Sequence, residues 1–224
     1  MGLAGFCFVR TAMRVAVFID WLNVYKTARE AFGLQNEASN RGQVDPYRVG
    51  RVLAAADGRG ASAELVRVEI HRGQPLPNQD RLGRVATSLQ ERCWKLAEPG
   101  VVKVQFRPLR FNPATKRLEE KGVDVALAAC AIEWAIVRDV DRVVIFSHDT
   151  DLSPAVEVIA RIKGPHAVET ASWRSDEYRK RIPPIEGVRN HLLYEKIFLA
   201  LEDSTHYGRA ARARIAGRSP PRTR

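Results

Sequence analysis

The sequence predicts an α/β fold: a three-layer α/β/α domain with a central, mostly parallel sheet of about five strands. Three observations carry that reading. Short apolar runs rich in β-formers alternate with helical patterns. The connections between them are short, as in a parallel sheet with helices on both faces. Acidic residues fall repeatedly where a strand ends and a helix begins, the edge where ligands collect in such sheets.

Arg14 to Ile19 is the first strand; it ends in Asp20, and the helical pattern Leu22, Tyr25, Ala28, Ala31, Phe32 follows at once. Gly33 to Asp45 reads as loop, and Asp45-Pro46 as N-cap and first residue of a helix ending near Asp57-Gly58. Ala63 to Ile70 is the second strand, His71 to Gln79 a loop around Pro75 and Pro77, and Asp80 to Ala97 an amphipathic helix closed by Glu98-Pro99-Gly100. Val101 to Phe106 is the third strand, and Arg107 to Glu120 reads as irregular and basic. Val123 to Val137 is a helix apolar nearly all round, expected to be buried. Arg142 to Phe146 is the fourth strand, and Pro154 to Ile162 a helix with Ser153 as N-cap and Pro154 behind it. Lys163-Gly164-Pro165 stops that helix, His166 to Ala171 is a fifth strand, and Val188 to Leu201 is a last helix.

The chain has 224 residues, enough for one sizeable domain and a tail. The expected division is a flexible leader over 1–12, a domain over 13–203 and a basic, disordered tail over 204–224, with Met13 as an alternative start. The composition, 45% hydrophobic and 28% charged, is that of a globular protein. No apolar run approaches the ~18 residues of a membrane span, and the first residues lack the basic start of a signal peptide. Three cysteines without CxxC spacing suit a reducing cytoplasm and are expected to exclude a cysteine zinc site. The net charge of +10 attracts polyanions, nucleic acid first. Arg209, Arg212, Arg214, Arg218, Arg222 and Arg224 follow Asp203 with no acid among them, so the tail either stays solvated or adds a phosphate contact.

Four acids and one amide occupy strand ends or helix starts: Asp20 and Asn23 after the first strand, Asp124 opening the apolar helix, and Asp149 with Asp151 after the fourth strand. Asp124 is the most telling, because a carboxylate among apolar residues needs a cationic neighbour. Singly, each acid could end a strand or cap a helix. Together they repel unless a cation sits between them, and an all-oxygen set suits Mg²⁺ or Mn²⁺. Such an ion activates water for attack on a phosphodiester. His148 is either a proton shuttle or a hydrogen-bonded turn residue.

Phe18-Ile19-Asp20-Trp21-Leu22-Asn23, Lys121-Gly122-Val123-Asp124-Val125-Ala126-Leu127 and Ser147-His148-Asp149-Thr150-Asp151-Leu152-Ser153-Pro154 resemble, in order and separation, the three signature blocks of NYN domains, a PIN-like group of metal-dependent ribonucleases. The likeness covers roughly residues 14 to 175. It implies a PIN-like fold in which Asp20, Asp124, Asp149 and Asp151 hold Mg²⁺ or Mn²⁺ and Asn23 orients a ligand or water. The chain departs from the family pattern at Cys130, where members often carry an acid, at His148, where they carry glycine, and at Leu152, where they carry an aromatic.

The expected function is therefore a cytoplasmic endoribonuclease, a hydrolase of RNA phosphodiester bonds working by metal-activated water. Lys121, Arg107, Arg110, Lys116 and Arg117 are expected to hold the phosphate backbone of single-stranded or structured RNA. Trp21 either stacks a base or packs in the core. The alternative function is a catalytically weak or inactive RNA-binding adaptor of the same fold, for which Cys130 is the argument. A third reading, the nucleophilic DxDx(T/S) loop of a haloacid-dehalogenase phosphatase at Asp149-Thr150-Asp151-Leu152-Ser153, fails on position, since that loop belongs after the first strand.

Overall fold

A computed structural model describes residues 12–55 and 62–217. Six strands form one parallel sheet in the order β3-β2-β1-β6-β7-β8: β1 (Ala12–Asp20), β2 (Ser62–Gln74), β3 (Val102–Pro108), β6 (Arg142–Phe146), β7 (Val168–Trp173) and β8 (Arg189–Leu193). A separate antiparallel hairpin pairs β4 (Arg110–Asn112) with β5 (Arg117–Glu119). Both neighbours of β1 are parallel to it, and the strand order reverses between β1 and β6. In a doubly wound sheet that reversal opens a crevice at the carboxyl ends of the two central strands. All five residues of β6 are buried, as a central strand covered on both faces requires.

Alternation along β1 divides the core. Val15, Val17 and Ile19 face one cluster with Val24 and Ala28 of α1 (Trp21–Ala31), Val49 and Leu53 of α2 (Pro46–Ala55), Trp94 of α3 (Arg81–Ala97) and Phe198 of α6 (Glu195–Leu201). Ala16 and Phe18 face the other, with Leu127 and Ala131 of α4 (Val123–Val137) and Val156 and Ile159 of α5 (Ser153–Lys163). This is the expected three-layer arrangement, with one strand more than the sequence suggested.

Five local expectations need correction. β2 runs on to Gln74, through the stretch expected to be loop, because β3 pairs with it as far as Gln74↔Pro108. The segment expected to be irregular holds the β4–β5 hairpin. Arg189–Leu193, expected to start a helix, is β8, and its pairing with β7 leaves only Glu195–Leu201 helical. The helix α4 is not buried all round: Leu127 and Ala131 are fully covered, but Val125 and Val137 are each 72% exposed. The tail expected to be disordered from 204 instead forms α7 (Tyr207–Ile215), whose Ala211 is buried and whose Tyr207 hydroxyl donates to Asp203 Oδ2 at 2.7 Å. Residues 1–11 of the leader, the end set near Asp57-Gly58 and Arg218 to Arg224 lie outside the described residues.

Candidate metal centre at the carboxyl edge of the sheet

Ile19 and Phe146 are register partners, so the residues that follow them meet at the sheet edge. Asp20 ends β1 and serves as N-cap of α1, accepting the Asn23 N–H at 3.4 Å. Ser147, directly after β6, donates its hydroxyl to Asp20 Oδ2 at 2.9 Å and accepts the Asp149 N–H at 3.1 Å. Asp20 is 3% exposed. Burial, joined by repulsion from Asp124 and Glu120, pushes its pKa up to about 7 against the bonds from Ser147 and Asn23.

Asp124 stands in the first turn of α4, where the helix dipole favours a carboxylate. The helix starts after Gly122, whose φ of 70° lies in the left-handed region that glycine adopts at no steric cost. Its carboxyl is raised by burial and then by Asp149 and Asp151. The sequence suggested a cation beside this residue; the charges acting on it are two more acids. Asp149 caps a single 3₁₀ turn, Thr150–Leu152, its Oδ1 accepting the Asp151 N–H at 2.9 Å. Asp149 is half-buried and Asp151 exposed at the rim.

Sequence reasoning missed Glu120, the last residue before the Lys121-Gly122 block. Its carboxylate Oε1 accepts the Gly73 N–H at 2.5 Å, an approach that a side chain at 73 would block, since a Cβ there would lie 2.7 Å from Glu120 Cγ. Burial raises its pKa, Asp124 adds to that, and Arg72 and Lys26 oppose it. The available signal was an acid terminating the basic segment three residues before the helix that carries Asp124.

Asn23 and His148 form a brace beside the acids. The His148 N–H donates to Asn23 Oδ1 at 2.9 Å, and His148 Nδ1 lies 3.2 Å from the same oxygen and 3.0 Å from Thr27 Oγ1. Nε2 accepts the Trp173 N–H at 2.8 Å, which places the ring proton on Nδ1. Burial pushes the His148 pKa down to about 4. Both ring nitrogens are engaged, so His148 is a turn residue rather than a proton shuttle, and Asn23 holds the turn that carries Asp149.

Trp21 does not present a face to a base. It is 4% exposed and packs on Trp94 at 4.4 Å between ring centroids, with the Arg72 guanidinium 5.6 Å from its centre. Arg107, Arg110, Lys116, Arg117 and Lys121 are all exposed. A Cβ at Gly122 would be 3.9 Å from Arg107 Nη1, so that guanidinium sits beside the start of α4. Arg117, Lys26, Arg72 and Glu120 line a groove of about 690 Å³ between the hairpin and α3, which joins the basic hairpin to the acidic edge.

The acids suit a hard divalent cation. Three of them, Asp20, Glu120 and Asp124, are lifted above their ordinary values, first by burial and then by neighbouring acids, and a divalent charge relieves that crowding. Among the described residues, three ligating side chains with donor atoms all within 4.8 Å of one another occur only at Glu69, His71 and Cys130. The edge acids are thus spaced more widely than that. Cys130, at the position where the family pattern has an acid, is influenced by Glu69, Glu133 and Lys103 rather than by the edge acids.

None of the curated proteins matches the chain. Among solved structures, a protein of unknown function from Vibrio parahaemolyticus shares the fold, with a TM-score of 0.51 and 20% identity over 82% of this chain and 93% of that one. The family model described as NYN domain matches residues 14–164. That match spans more than half of the chain and all three acidic blocks, and the protein therefore belongs to the NYN domain family.

Proposed function

We propose that this protein is a metal-dependent endoribonuclease whose centre is the carboxylate edge between β1 and β6. The observation that carries the reading is the crowding of carboxylates around Asp124 at a strand-order reversal: its charge lifts Asp20, which Ser147 ties to the Asp149 turn, and Glu120, while Asp149 and Asp151 lift Asp124 itself. Family membership makes a nuclease-like fold the setting for that crowding.

Asp20, Asp124 and Asp149 would hold the ion, with Asp151 at the rim. A bound Mg²⁺ or Mn²⁺ supplies Lewis-acid activation of water and neutralises charge on the leaving oxygen. The chain's own contribution is placement. Ser147 fixes Asp20 against the Asp149 turn, Asn23 and His148 fix that turn against α1, and Gly73 seats Glu120. Asp20 gives up its proton when a cation binds, so metal affinity rises with pH through about 7. Arg107, Arg117 and Lys121 would hold the RNA backbone on the hairpin side, leaving the scissile phosphate over the acids.

The test is a labelled single-stranded RNA incubated with the purified protein and Mg²⁺ or Mn²⁺, with a chelated control. Metal-dependent internal cleavage supports the reading. Cleavage that survives chelation overturns it, and salt-dependent binding without cleavage makes the protein an RNA-binding module.

A further inference from the structure

We propose that Glu69, His71 and Cys130 form a second metal site, for a borderline-soft divalent ion with Zn²⁺ first, on the α4 face of the sheet and separate from the carboxylate edge. Their ligating atoms lie within 4.8 Å of one another. Glu69 and His71 stand two residues apart on β2, so both project to the same face, and α4 brings Cys130 over them. Cys130 is six residues beyond Asp124, about 9 Å further along the helix at ~1.5 Å per residue.

A second feature points to a ligand. His71 is 2% exposed, yet its Nε2 has no hydrogen-bond partner; it lies 3.5 Å from Glu69 Oε1 without the alignment of a hydrogen bond. An unpaired buried ring nitrogen is costly, and one aimed among a carboxylate and a thiol is what a metal would satisfy. The donors, one N, one O and one S, match those zinc accepts. Tetrahedral bonds of ~2.0–2.3 Å put ligand atoms roughly 3.3–3.8 Å apart, so side-chain rotation of about 1 Å closes the present spacing.

The surroundings are arranged for it. Gln105 Nε2 donates to Glu69 Oε1 at 2.8 Å and fixes the carboxylate plane. Zinc binds thiols as thiolates, so binding would release the Cys130 proton. Glutamate, thiolate and Zn²⁺ would then carry no net charge, and three protein ligands would leave a fourth position beside half-buried Cys130.

Cobalt substitution separates this site from the carboxylate edge, because only a thiolate ligand gives an intense sulfur-to-cobalt charge-transfer band. The full chain, stripped of metal and titrated with Co²⁺, should show that band at one equivalent, and Zn²⁺ should abolish it. Asp124→Asn should keep the band, Cys130→Ala should lose it, and Cys130→Asp should keep a cobalt site but no thiolate band. His71→Gln should weaken Co²⁺ binding at least tenfold; if that variant misfolds, Cys130→Ala, judged by native circular dichroism, decides. No thiolate band in the wild type, or one that persists in Cys130→Ala, overturns the site whatever the fate of the nuclease reading.

Discussion

Ser147 ties Asp20 to the Asp149 turn through one hydroxyl, donating at 2.9 Å and accepting at 3.1 Å. Ser147→Ala removes both bonds from a buried setting. It should cost about 1–3 kcal/mol in denaturant unfolding and raise the Asp20 pKa further, since that bond opposes the shift. Mn²⁺ affinity at neutral pH should fall with it, measured by titration. A variant with wild-type affinity and stability would show that the bridge organises nothing.

Two buried groups give opposing pH dependences in the metal-free protein. Asp20 rises from 3.8 to about 7, so between those values the fold keeps a proton that the unfolded chain has released. Its contribution, of order 4 kcal/mol, is whole below about pH 4 and lost as pH rises through 7. His148 falls from 6.5 to about 4, so its contribution, of order 3 kcal/mol, is whole above 6.5 and lost as pH falls through 4. Relative to wild type, Asp20→Asn should therefore make stability climb more steeply with pH across 4 to 6.5, and His148→Gln should make it drop. Urea midpoints in the presence of chelator measure both; parallel curves for all three proteins would contradict the assignment.

Trp21 separates core packing from base stacking. Trp21→Ala empties a pocket against Trp94 and should destabilise by about 3–5 kcal/mol. Trp21→Phe, which preserves most of the volume, should leave single-stranded RNA affinity unchanged in a fluorescence anisotropy titration. A tenfold loss in the phenylalanine variant would restore the stacking role.

The exposed basic hairpin predicts a salt effect. Replacing Arg110, Lys116 and Arg117 with glutamine should flatten the dependence of log affinity on log salt. The slope should change by about 0.7 for each single-strand phosphate left without its cation. An unchanged slope would move the RNA path away from the hairpin.

Much of the fold was legible because it is local. Val143 to Phe146 reads as a buried strand from its apolar run, and Asp20 and Asp149 read as strand-end acids from position alone. What escaped depends on pairing between distant segments. β2 continues through His71 to Gln74 because β3 offers it a partner, and Arg189–Leu193 is a strand because β7 does. Glu120 joins the acids only because Gly73 leaves it room. The absence of CxxC spacing argued against zinc, yet Cys130 meets Glu69 and His71 from another element, and no spacing along the chain encodes that meeting.

Single-turnover cleavage of single-stranded RNA by wild type and Asp149→Asn decides whether the β1–β6 edge cleaves RNA with a divalent ion. Wild type should cleave in Mg²⁺ or Mn²⁺, and chelation should abolish that activity. The variant should be slower by about 100-fold or more, the scale on which electrostatic stabilisation of a transition state acts. Equal rates for the two proteins, or a wild-type rate indifferent to chelation, would contradict metal-dependent cleavage at that edge.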